Sequence, residues 1–124
     1  MIDQKMQERL GKNSTRAAAD RHEKSICKAL GAQQQSNSGA GHFRKGDVIH
    51  NEASMLIEAK TCMTEKQSFS IKKDWIQKNE EERFALRKSN SCICFNFGPD
   101  SDNYYVVNEK LMKFLIDKLI DENS

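Results

Sequence analysis

The chain has 124 residues, 37% hydrophobic and 31% charged, enough for one compact domain with a modest core. Its formal net charge is only +2, which excludes a uniformly polybasic nucleic-acid binder while leaving room for a local positive face. No apolar run approaches the roughly 20 residues of a membrane span. The opening MIDQKMQERLGK is charged throughout, with no signal-peptide core, so the expected location is cytoplasmic with no membrane partner.

Residues 1–12 lack periodicity and are expected to form a tail, ahead of a single domain over residues 13–124. The first helix is expected to start at Ser14 or Thr15, both good N-caps, and to end at Leu30 with Gly31 as its stop. Ala19, Glu23, Ile26, Cys27 and Leu30 fall on its inward face by helical spacing, so a glutamate stands among apolar residues. AQQQSNSGAGHFRKGD then reads as a glycine- and serine-rich loop with a short strand near Gln33 to Ser36.

Two strands follow, near Asp47 to His50 and Met55 to Thr61, joined by the short turn NEAS. A further helix is expected over roughly Ser70 to Lys88, with a serine cap and Ile71, Trp75 and Leu86 on one face. SCICFNFG has the continuous apolar character of a strand buried on both sides, with Asn96 satisfying a hydrogen bond there. NYYVV is another strand, and Asn108 caps a final amphipathic helix, EKLMKFLIDKLI. Helices alternating with strands that need covering imply an α/β domain with a mixed sheet flanked by helices.

Four cysteines, Cys27, Cys62, Cys92 and Cys94, could mean two disulfides or a zinc site, but they offer only a C-x-C and no second metal-binding pair. Cys92 and Cys94 alternate within an apolar strand, which favours plain buried thiols in a reducing compartment.

A four-residue link would place His50 opposite Met55, Ile49 opposite Leu56, Val48 opposite Ile57 and Asp47 opposite Glu58. Lys60 is two residues beyond Glu58 and shares its face. Two carboxylates directly opposite each other repel, and a divalent cation offsets that repulsion; hard oxygen donors suit Mg²⁺ or Mn²⁺. A lysine beside the ion would orient a water and stabilise charge developing on a phosphate. The competing reading is a solvated strand face with a weak ion pair contributing about 0–1 kcal/mol.

GDV and EAK, set behind a glutamate-bearing helix and ahead of a lysine-bearing helix and a buried strand, resemble the PD-(D/E)xK nuclease superfamily. Within it the chain looks most like the small archaeal and phage Holliday junction resolvases of DNA recombination and repair. The resemblance covers roughly Arg16 to Val107 and implies a restriction-endonuclease-like core. It implies metal ligation by Asp47 and Glu58, with the Ala59 carbonyl as a further ligand and Lys60 as the catalytic lysine. Glu23 would match the first-helix glutamate that completes the metal site. Ser38 resembles the loop serine ahead of the aspartate, and Gly46 stands where many members have proline.

Ser36, Ser38, His42, Arg44 and Lys45 lie on a segment able to follow a phosphate backbone, and Lys72 and Lys73 near a helix start would add contacts. The sequence therefore predicts a Mg²⁺- or Mn²⁺-dependent endonuclease acting on branched or duplex DNA. One active site per small chain makes a homodimer necessary for cutting both strands, through the C-terminal helix or the NYYVV edge. Two rival readings are a DNA-binding protein on the same fold that does not cut, and a protein-interaction module with solvated carboxylates. Trp75 reads as core and His22 as uninformative.

Overall fold

The structure, a computed structural model, describes residues 4–35 and 47–124, with side chains from Thr15 onward. The elements run α1 (Gln4–Leu30), β1 (Gln33–Gln34), β2 (Asp47–His50), β3 (Met55–Lys60), α2 (Lys73–Ala85), β4 (Asn90–Phe95), β5 (Tyr104–Val106) and α3 (Glu109–Glu122). The strands form one five-stranded sheet in chain order. β3 and β4 pair in parallel, joined by the crossover helix α2, and every other neighbour is antiparallel. The mixed α/β architecture is the one expected. No helix among the described residues is long and apolar enough to cross a membrane.

α1 starts at Gln4 and not at Ser14 or Thr15, so helix runs through residues 4–12 where a tail was expected. Gln, Glu, Arg, Lys and Leu dominate that segment, all strong helix formers, and their summed propensity outweighs a local cap signal. The stop is as expected: Gly31 takes φ +68°, a left-handed conformation that costs glycine nothing, and Ala32 N donates to Cys27 O at 3.1 Å.

The buried face of α1 is rotated one residue from the expected one. Ala18, His22 and Ile26 are buried at successive four-residue steps, Ala19, Glu23 and Cys27 are half-buried beside them, and Leu30 is exposed. Ile26 joins Val48, Ile57, Cys92 and Cys94 in the core on this side of the sheet. Each large apolar side chain taken from water there stabilises the fold by about 1.5–3 kcal/mol.

The opposite side of the sheet buries Leu56 and Ile93 and is covered by α2. α2 begins at Lys73 with Lys72 as N-cap and no side-chain cap, so the serine cap expected at Ser70 is not used. Asp74 in the first turn complements the helix dipole instead. Its one fully buried residue is polar: Asn79 Nδ2 donates to Cys92 O at 3.1 Å. On β4 the burial is continuous through Ser91, Cys92, Ile93 and Cys94, as a central strand covered on both faces requires. Asn96, just beyond it, accepts from Cys62 N at 3.0 Å. All four cysteines are free thiols. Asn108 caps α3 as expected, accepting from Leu111 N at 2.8 Å.

Candidate active site on the β2–β3 hairpin

The register of β2 against β3 is the one the turn length predicts: Asp47 faces Glu58, Val48 faces Ile57, Ile49 faces Leu56 and His50 faces Met55. The turn is fixed by groups inside and outside it. Ser54 takes φ 50°, its N–H donates to Asn51 O at 3.1 Å, and Ala53 N donates to His50 Nδ1 at 3.1 Å. From the α2–β4 connection, Ser89 N donates to Ser54 Oγ at 2.8 Å and Lys88 Nζ to Asn51 Oδ1 at 2.8 Å. A slip of one residue would break this set and turn every side chain over, so the pairing is strongly specified.

Alternation then sorts the side chains. Val48 and Ile57 point into the core beneath α1, which sends Asp47, Glu58 and Lys60 to the α2 face. Asp47 and Glu58 are buried, at 1% and 4% exposure. Lys60 Nζ lies 3.2 Å from Glu58 Oε1 and 4.4 Å from the centre of the Trp75 ring. The ammonium is thereby held by a carboxylate on one side and an aromatic face on another. Lys72 Nζ approaches the same ring at 5.5 Å. Ala59, between the two functional residues, turns its methyl to the core.

Two buried carboxylates on facing strands form a pair of hard oxygen donors, and that chemistry fits Mg²⁺ or Mn²⁺. Glu23 stands one turn before Cys27, on the helix covering the opposite face. Among the described residues no group of three or more His, Cys, Asp or Glu is gathered to hold a metal ion. Glu23 is therefore not brought to the pair as the third acid expected. Lys72 and Lys73 are exposed at the start of α2. Ser36, Ser38, His42, Arg44 and Lys45 lie outside the described residues.

Two neighbours of the site escape sequence reasoning. Trp75, expected as core, is half-buried and lies against Lys60. His22 is 5% exposed, with Nδ1 2.9 Å from Thr61 Oγ1, the residue after Lys60, and Nε2 3.7 Å from Cys94 Sγ. Burial holds the His22 pKa below its ordinary value, favouring the neutral ring. The same burial pushes the Cys94 thiol up to about 11 and that of Cys92 up to about 12, leaving both protonated near neutrality. The four-residue steps Ala18, His22, Ile26 were the available signal for His22. Nothing local marks Trp75.

Comparison with family models, with curated proteins and with solved structures finds no match to this chain.

Proposed function

We propose that this protein is a metal-dependent DNA endonuclease with a restriction-endonuclease-like core, hydrolysing phosphodiester bonds through Asp47, Glu58 and Lys60. The observation that carries the reading is the triple itself: Asp47 in register with Glu58, and Lys60 Nζ 3.2 Å from Glu58. Element order supports it: a helix, a hairpin bearing both acids, a crossover helix and a strand parallel to the second hairpin strand.

Asp47 and Glu58 would hold Mg²⁺ or Mn²⁺, with the Ala59 carbonyl as a further oxygen. A bound ion supplies Lewis-acid stabilisation of charge developing on the phosphate oxygens. The chain's own residues do the rest. The two carboxylates sit on paired strands, so their oxygens are oriented before substrate arrives. Lys60, steadied between Glu58 and Trp75, donates to the attacking water or to a phosphate oxygen as negative charge grows there. Lys72 and Lys73 at the start of α2 suit the flanking DNA phosphates.

Branched DNA, such as a Holliday junction, is the preferred substrate class, on the resemblance of the GDV and EAK motifs to those of the small resolvases. Cutting both strands requires two copies of the site and thus a symmetric homodimer.

The test is cleavage of junction, duplex and single-stranded DNA with Mg²⁺. Lys60→Ala and Asp47→Ala should each lower the rate by about 100-fold or more, in the range for loss of a catalytic group. Wild-type rates in both variants would overturn the mechanism. DNA binding that weakens with salt but never leads to cleavage would indicate a binding protein on this fold.

A further inference from the structure

Alternation along β4 sends Ile93 and Phe95 to the α2 face of the sheet, away from Cys92 and Cys94 in the core beneath α1. Lys60 is in register with Phe95, and Phe95 with Tyr104, so the three share one row across β3, β4 and β5. Two strand spacings put Tyr104 about 10 Å from Lys60 along that row. Aromatic rings fill it. Phe69, from the β3–α2 connection, stacks on Phe95 with centroids 4.8 Å apart, and Tyr104 stacks on Phe95 at 5.9 Å, with interplanar angles of 21° and 28°. Phe97 packs edgewise against both Phe95 and Tyr104. Trp75 meets Phe69 at 6.0 Å and joins the rings to the lysine of the site.

The outer end of this row is open. Tyr104 lies on the edge strand β5 and is 49% exposed although Phe95 covers part of its ring. A flat ligand placed on Tyr104 would continue a stack that Phe69 and Phe95 already hold in place. The surrounding charge indicates which flat ligand. Residues 60–78 carry five lysines against Glu65 and Asp74, a net charge of +3. Lys60 and Lys72 lie over the Trp75 ring, and Lys66 N donates to Phe97 O at 2.7 Å. Asp74 engages Lys78 at 3.0 Å, and Asp100 engages Arg21 at 2.9 Å, which leaves Asp102 as the other acid near Tyr104 in sequence. An aromatic face bordered by cations suits a ring that carries a negative charge, as a nucleotide does. In a paired duplex the base faces are already covered by their neighbours, so the base must be unpaired.

We propose that Tyr104 is a stacking platform for an unpaired DNA base, with the phosphates of that strand held by Lys66, Lys72 and Lys73. This rests on the endonuclease reading and narrows its substrate to branched DNA with an unpaired base close to the phosphate that is cut.

Fluorescence anisotropy of an end-labelled oligothymidylate tests it on the full chain, in EDTA so that nothing is cleaved. The wild type should bind the single strand at least about tenfold more tightly than a blunt duplex of equal length. Tyr104→Leu should weaken single-strand binding by about tenfold, the loss of one stacked base, and leave duplex affinity within about twofold. Tyr104→Phe keeps the ring and should bind as the wild type does. Lys72→Ala with Lys73→Ala should weaken both DNA forms alike and make the salt dependence shallower. Absence of single-strand binding, equal affinity for the two forms, a leucine variant that binds normally, or equal losses in the leucine and phenylalanine variants would each overturn the proposal. Binding here needs neither metal nor cleavage. A protein that holds single strands through Tyr104 yet cuts no DNA would therefore support the platform while overturning the catalytic reading.

Discussion

Lys60 is held from two directions, by Glu58 at 3.2 Å and by the Trp75 ring at 4.4 Å. A cation over an indole is worth about 0.5–2 kcal/mol, depending on its desolvation. Trp75→Ala should therefore slow cleavage by about tenfold through kcat, with KM little changed. Trp75→Phe should recover much of the rate, and equal losses in both variants would assign Trp75 to packing alone. His22 makes a different prediction. Its folded pKa is depressed by burial below the ordinary 6.5. Above pH 6.5 the ring is neutral both folded and unfolded, so stability is at its full value there. As pH falls below 6.5, the unfolded chain takes up the proton first and stability declines, by at most about 1.4 kcal/mol per pH unit for one group. The thermal midpoint of wild type should drop more steeply between pH 6.5 and 5 than that of His22→Asn. Parallel curves would remove His22 as the cause. The contrast between these residues and the acid pair explains what sequence alone can reveal. Asp47 and Glu58 are paired by a period of two and a short turn, both visible locally. His22 meets Thr61 from 39 positions away, through a helix rotation that sequence periodicity placed one residue off.

At the level of elements, the end signals differed in how far they could be trusted. Gly31 and Asn108 act where their chemistry puts them, the one in a left-handed conformation and the other as an acceptor for Leu111 N. Asn108→Ala should cost about 1 kcal/mol of stability, measured as a lower urea midpoint at unchanged slope. An unchanged midpoint would mean that α3 frays without cost. Ser70 carried the same kind of signal and is passed over, since α2 begins at Lys73 with Lys72 as its N-cap; Ser14 and Thr15 lie within a helix that was already under way. The strands were the most legible elements. β2 and β3 matched their expected bounds to within a residue and β4 ended three residues short of its apolar run, since alternation and continuous burial leave few ways to place them. The exposure of Met112, Phe114, Ile116 and Leu119 on α3 was not legible, because an amphipathic pattern reports that a face is apolar and is silent about what covers it.

The fold is held by non-covalent contacts, since all four cysteines are free thiols. Part of those contacts is supplied between copies if the chain forms the proposed homodimer. The thermal midpoint should then rise with protein concentration. A midpoint independent of concentration in the wild type would place the whole stability within one chain. The sheet also divides the molecule's labour. Its α1 side is mostly apolar core with His22 buried beside Cys94, and its α2 side carries acids, a lysine and aromatic rings as well as Leu56 and Ile93. The division is set by the parity of residue numbers along β2 and β3, which the turn between them fixes. The letters of the Asn51–Ser54 turn can vary over generations wherever its few hydrogen bonds survive, but their number cannot. A single inserted or deleted residue there would send Asp47 to the side of the sheet away from Glu58. Among chains descended from this one, alignment gaps should be absent from those four positions even where identity is low.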